Sequence, residues 1–161
     1  MSDVLIIPTQ LVKQLLERIR TEAISDLQGK GISNGDLGME TDAQEVDGQV
    51  SGGLQADPHW YYTVYGRRPG KQPPIDTILG WLAKKGIHGE DISDKSLAFL
   101  IARKIGQVGT DIFTGKRPGL ALPAIILKET QGFEEDIKKY FDEQIDTTIM
   151  AGLDQIFTRQ N

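Results

Sequence analysis

Apolar side chains recur at helical spacing near both ends of this chain, and that periodicity constrains the fold more than any other feature. Toward the C-terminus Phe133, Ile137, Tyr140, Phe141, Ile145, Ile149, Leu153, Ile156 and Phe157 follow it over roughly 26 residues, about 39 Å of helix. In the first part Leu11, Val12, Leu15, Leu16, Ile19, Ala23 and Leu27 do the same. They predict a helix from about Pro8 to Leu27, with Pro8 suited to a first turn and Gly29 to a stop. Two shorter helices are expected between these. Ile75, Ile78, Leu79 and Leu82 follow Pro73 and Pro74 and end at Gly86; Leu97, Leu100, Ile101, Lys104 and Ile105 follow a Ser93 or Asp94 cap and run through Val108. Ala98 and Ala102 allow a close approach on that second helix.

Strand signals are weaker. Val46, Gly48, Val50, Gly52 and Leu54 alternate with mostly polar residues and predict a Gly-weakened strand. His59 to Tyr65 reads as the best strand, because aromatic and β-branched residues occupy both of its faces; it should be covered on each side or lie at a subunit contact. Residues 29–47 combine Gly and Asn breakers with acidic residues and predict an exposed, mobile loop. Leu120 to Leu127 is apolar but holds Pro123, which reads as an edge strand or extended crossing. The expected class is α+β, a small mostly antiparallel sheet packed with helices, with long N- and C-terminal helices, in one domain over residues 1–161.

Composition excludes several chemistries. The 161 residues contain no Cys, which removes disulfide scaffolds, Cys-zinc sites, iron–sulfur clusters and thiol nucleophiles; only His59 and His88 remain as imidazoles. No apolar run approaches the ~18 residues of a membrane span, and Val4 to Ile7 stops at Pro8 without a basic leader, so a soluble, unprocessed chain is expected. Net charge is -5, adverse for a protein whose main task is gripping nucleic acid. Its distribution is uneven: residues 66–117 hold ten basic against five acidic residues, leaving the two flanks with -10. Such a bipolar chain can neutralise itself, or the basic face of one copy can meet the acidic face of the next, a head-to-tail contact of the kind that closes rings.

Apparent site motifs dissolve on inspection. Gly109 and Gly115 before Lys116 are six apart where a phosphate loop needs five, and Arg117 stands in place of the magnesium-binding hydroxyl. Gly29, Gly31 and Gly35 follow a predicted helix, whereas a dinucleotide-binding turn follows a strand. Asp42 to Asp47 lacks the alternating oxygen ligands and closing Glu of a calcium loop. Glu134, Glu135 and Asp136 fall in the first turn of the predicted last helix, where negative charge suits the helix dipole; with Asp142, Glu143 and Asp146 they read as a solvated or partner-facing surface. No Ser occupies a nucleophile elbow. No catalysis, cofactor or metal is expected, and no small-molecule substrate.

The informative stretch runs from Tyr65 to Ile75, YGRRPGKQPPI, into WLAKKGI at residues 81–87. Pro69 fixes one backbone angle and Gly70 frees another, so Arg67, Arg68 and Lys71 sit on a stiff turn with little entropy to lose on binding. Preorganised arginines pair bidentately with carboxylates of another chain. The expected subunit and partner contacts are Trp60, Tyr62, Tyr65, Arg67, Arg68, Lys71 and Trp81, with Ile156 and Phe157 on the last helix. Phe133 to Leu153 are expected to pack within the molecule.

YGRRPGKQPPI, WLAKKGI and LAFLIARKIGQVGT together resemble the core of a family of neck and tail-completion proteins of tailed bacteriophages, over about residues 60–112. The resemblance implies a small α+β protein without catalysis, made in the host cytoplasm and resident in the virion. It implies homo-oligomeric rings in the head–tail connector or at the tail end, contacting portal, neck or tail proteins, with packaged DNA as a non-specific neighbour and no membrane. The acidic 29–47 segment and Leu120 to Leu127 depart from the pattern. An alternative from another class is a nucleic-acid-binding regulator, with residues 74–86 and 94–108 as a helix-turn-helix-like pair supported by Arg103 and Lys104. Its connection of about eight residues exceeds the usual three or four.

Overall fold

A computed structural model describes residues 7–31 and 38–158, with the side chains of 155–158 excepted. It contains α1 (Thr9–Gly29), β1 (Glu40–Val46), β2 (Gln49–Gln55), α2 (Trp60–Tyr65), α3 (Ile75–Lys85), α4 (Asp94–Val108) and α5 (Leu122–Thr158). The class is α+β, and the sheet of the described residues is one antiparallel pair, β1 with β2. The expected single domain contains two compact units. One is drawn from Met1–Gln28, Ser33–Asp57 and Leu122–Asn161, the other from Gly29–Ile32 and Pro58–Ala121.

In the first unit α1 buries Leu15, Leu16, Ile19, Ala23 and Leu27, the face its periodicity predicts. The β hairpin lies on that helix. A Cβ at Gly52 would come within 2.7 Å of Val12 Cγ1 and 2.9 Å of Leu16 Cδ1, so the glycine lets strand and helix close. Arg20 Nε donates to the Met39 carbonyl at 2.8 Å, and the Thr41 hydroxyl donates to Glu17. The hairpin corrects the expected loop over 29–47, whose residues 40–46 are strand. Acidic side chains there occupy the solvent face while Ala43 is buried; one inward residue in seven is too faint an alternation to read from sequence. Asp47 at φ 52 and Gly48 at φ 76 form the two-residue turn.

The apolar run at 120–127 is a second correction. Pro123 falls in the first turn of α5, where its missing N–H costs no intrahelical bond, so the chain is helical from Leu122 and not extended. Leu122 and Ile125 are buried. The helix then continues for 37 residues, about 55 Å. Arg18 of α1 reaches Glu129 at 3.0 Å and Asp136 at 2.7 Å, and Lys128 reaches Glu22 at 2.7 Å, so α1 and α5 lie side by side. Beyond Phe141 the helix is exposed through Asp154, against the expectation that Phe133 to Leu153 pack inside.

A third correction concerns the strand expected over His59 to Tyr65: residues 60–65 are helical, with His59 at the N-cap. Thr63 N–H and Tyr62 N–H both donate to the His59 carbonyl, and Gly66, at φ 70, ends the helix through a bond to the Tyr62 carbonyl. The β preference of the aromatics yields to ring stacking at helical spacing, with Tyr61 and Tyr65 centroids 4.9 Å apart. The two central helices agree with expectation. Gly86 caps α3 in the left-handed region, and the Ser93 hydroxyl accepts from Ser96 N–H at the start of α4. Leu82, Ala98, Ala102 and Leu120 form the buried core of this second unit.

The ion pair between Lys128 and Glu22 carries a pH dependence. Hydrogen bonding from Lys128 holds the Glu22 carboxyl below its ordinary 4.5, and the same bond raises Lys128 above 10.5. Glu22's contribution to stability is complete above 4.5 and is lost as pH falls through its lowered folded value. Lys128's is complete below 10.5 and is lost as pH rises through its raised one. Urea midpoints should therefore be level between about pH 5.5 and pH 9.5 and decline on either side, with a shallower acid decline in E22Q. Identical acid limbs in E22Q and the parent would contradict the assignment.

Candidate functional site

The basic turn of residues 66–71 leaves α2 and is seated on the end of α4. The Arg67 N–H donates to Thr110 Oγ1 at 2.9 Å and the Thr110 N–H returns a bond to the Arg67 carbonyl at 2.9 Å. The Gly70 N–H donates to the Gly106 carbonyl at 2.8 Å, satisfying an oxygen in the last turn of α4 that the helix itself leaves open. The approach is closer than side chains permit. A Cβ at Gly66 would lie 2.3 Å from Phe113 N, and one at Gly109, where φ is +83, would lie 2.8 Å from the Arg67 carbonyl. Behind α2, the Leu120 N–H donates to the Thr63 carbonyl at 2.9 Å.

This seating shapes an open cleft of about 860 Å³, lined by Tyr61, Tyr62, Tyr65, Arg67, Arg68, Lys71 and Phe113 together with the turn backbone. Tyr61, Tyr62, Tyr65 and Phe113 are all exposed. Arg67 Cζ stands 5.6 Å from the Tyr62 ring centroid, a cation–π contact, and its Nη2 donates to the Lys71 carbonyl at 3.1 Å. These two contacts hold the guanidinium in place. Among the described residues, no carboxylate pairs with Arg67, Arg68 or Lys71. The site is therefore an aromatic and cationic surface, with the Arg67 guanidinium held in place, able to take up anionic, partly apolar groups.

Of the residues expected from sequence, Tyr62, Tyr65, Arg67, Arg68 and Lys71 come together in this cleft. Trp60 is half-buried at the start of α2, its ring edge-on to Tyr61 at 6.0 Å, and does not line it. Trp81 is exposed on α3 and is also outside the lining. The side chains of Ile156 and Phe157 lie outside the described residues. Tyr61 and Phe113 are additions. The four-residue spacing of Tyr61 and Tyr65 carried the signal for the first, but it was hidden by the strand reading; Phe113 had no signal beyond its place after Gly109 and Thr110.

Elsewhere, His88 Nδ1 lies 3.0 Å from Asp94 Oδ2, and the Gly89 N–H donates to Asp94 Oδ1 at 3.1 Å. The contact with His88, then that backbone donor, keeps the Asp94 carboxyl below its ordinary range. The pair closes the connection between α3 and α4. Among the described residues no three His, Cys, Asp or Glu side chains group as metal ligands, and no helix is long and apolar enough to cross a membrane.

Loosening the seat should be measurable. T110V removes the hydroxyl that Arg67 uses and should cost about 1 kcal/mol, while T110S should retain it. G109A combines a left-handed backbone with a close contact and should cost about 1–3 kcal/mol. Urea unfolding checks all three; equal midpoints for T110V and T110S would refute the role given to the hydroxyl. Compared with protein-family models, with curated proteins and with solved structures, the chain finds no match.

Proposed function

We propose that this chain is a structural subunit of a tailed bacteriophage virion, forming an oligomeric ring in the neck or head–tail connector or completing the tail. The observation that carries the reading is the preorganised turn of Arg67, Arg68 and Lys71, which no carboxylate among the described residues meets and which exposed aromatics flank. A seated turn whose Arg67 is already held and whose charges meet no carboxylate among the described residues favours a partner, because less ordering entropy opposes docking. The same residues begin the stretch resembling neck and tail-completion proteins, and residues 60–112 fall within one compact unit. On this reading the chain performs no catalysis. It acts by geometry and charge: copies associate into a ring, and the ring meets portal, neck or tail proteins of the same particle.

The nucleic-acid alternative requires α3 and α4 to act as a helix-turn-helix pair, but eight residues, 86–93, separate them. Two measurements decide. Peptides of this chain should be found in intact purified particles in multiple copies, and the protein should show no retention on DNA at ~50 mM salt. Presence in infected cells with absence from particles, joined to steep salt-dependent DNA retention, would replace the structural reading with the regulatory one.

A further inference from the structure

The exposed end of α5 is the chemical complement of the cleft. From Asp142 to Asp154 every residue is exposed, and this stretch holds four acidic residues and no basic one. Ile145 is 47% exposed, Ile149 54% and Leu153 42%, at four-residue intervals along the helix. Asp142 and Asp146 precede Ile145 and Ile149 by three residues, so carboxylates border the apolar row on the same side of the helix. Among the described residues neither Asp142 nor Asp146 has an ion-pair partner. The 13 residues span about 20 Å, three to four turns that are exposed throughout.

We propose that this segment of α5 docks in the cleft of a second copy of the chain, with Asp142 and Asp146 on Arg67, Arg68 and Lys71, and Ile145, Ile149 and Leu153 on the tyrosines. The proposal rests on the ring reading above and names its contact. Charge decides the occupant. Two α5 ends set against each other would juxtapose acidic with acidic, whereas an α5 end on the cleft opposes Asp142 and Asp146 with three positive charges. An amphipathic helix enters a groove by its apolar face, here Ile145, Ile149 and Leu153 at four-residue steps, with Asp142 and Asp146 alongside. A cleft of about 860 Å³ accepts a row of side chains of that kind. Because the helix end and the cleft are different surfaces, the contact is head-to-tail, and each copy keeps a free helix and a free cleft until a ring closes.

The test is a charge exchange in the full chain, read as mass by light scattering across protein concentration at about 50 mM salt, with circular dichroism confirming the fold. The parent should associate. R67E/R68E alone and D142K/D146K alone should each weaken association by ~100-fold or more, and the protein carrying all four changes should regain the parent's mass. I149D should also dissociate it, since its side chain is exposed and its loss leaves the fold unchanged. If the parent associates but the two reversals fail to compensate each other, the docking is wrong while the ring reading stands. A parent that stays monomeric at every concentration overturns both. If R67E/R68E abolishes DNA retention and leaves the mass unaltered, the cleft serves nucleic acid, and the proposal fails.

Discussion

The candidate surface depends on the seating of one short turn. Two backbone–backbone hydrogen bonds and one from the Arg67 N–H to the Thr110 hydroxyl join residues 67–70 to the end of α4 and to Thr110, and glycines at 66 and 109 admit an approach that a Cβ would block. Without that seat, two arginines and a lysine on a Pro-Gly turn would sample many conformations, and a partner would have to arrest each of them. With it, Arg67 is held between the Tyr62 ring and the Lys71 carbonyl before any partner arrives. The exposed tyrosines of α2 then present apolar area beside fixed positive charge. That combination can take up groups that are anionic and partly apolar.

The two ends of the charge distribution acquire separate structural meanings. The three cations of the cleft, Arg67, Arg68 and Lys71, belong to one compact unit, while α5 belongs to the other. The first half of α5 is used within its own unit, where Arg18 and Lys128 tie it to α1. Past Phe141 the same helix has apolar residues without a core to enter. A helix in water draws most of its stability from packing an apolar face, so a bare amphipathic extension is a poor resting state and a good docking element.

Helical elements were largely legible in the sequence, because their signals are local. Pro8, Pro74, Ser93 and Gly86 mark ends that the structure places within a residue or two, and the buried face of α1 is the one its spacing indicates. The misreadings occur where local preference and tertiary context compete. Aromatic residues 60–65 favour strands in isolation, yet they form a short helix whose tyrosines line one cleft with Phe113. Pro123 can end a strand or open a helix, and only the burial of Leu122 and Ile125 decides between them. Strand β1 buries Ala43 alone, which leaves almost no alternation to detect. The cationic half of the cleft could be read from Arg67, Arg68, Pro69 and Gly70, but its depth could not, because Phe113 joins it through a contact some 40 residues distant.

Amide hydrogen exchange, compared between dilute and concentrated protein, addresses the central claim most directly, because it reports where the chain is covered by other copies. The account predicts that amides of residues 142–154 exchange rapidly when dilute and gain protection on concentration, in step with residues 61–71 and with the rest of the chain little changed. Unchanged protection in both segments while the mass of the species rises would mean that copies meet elsewhere, and would contradict it.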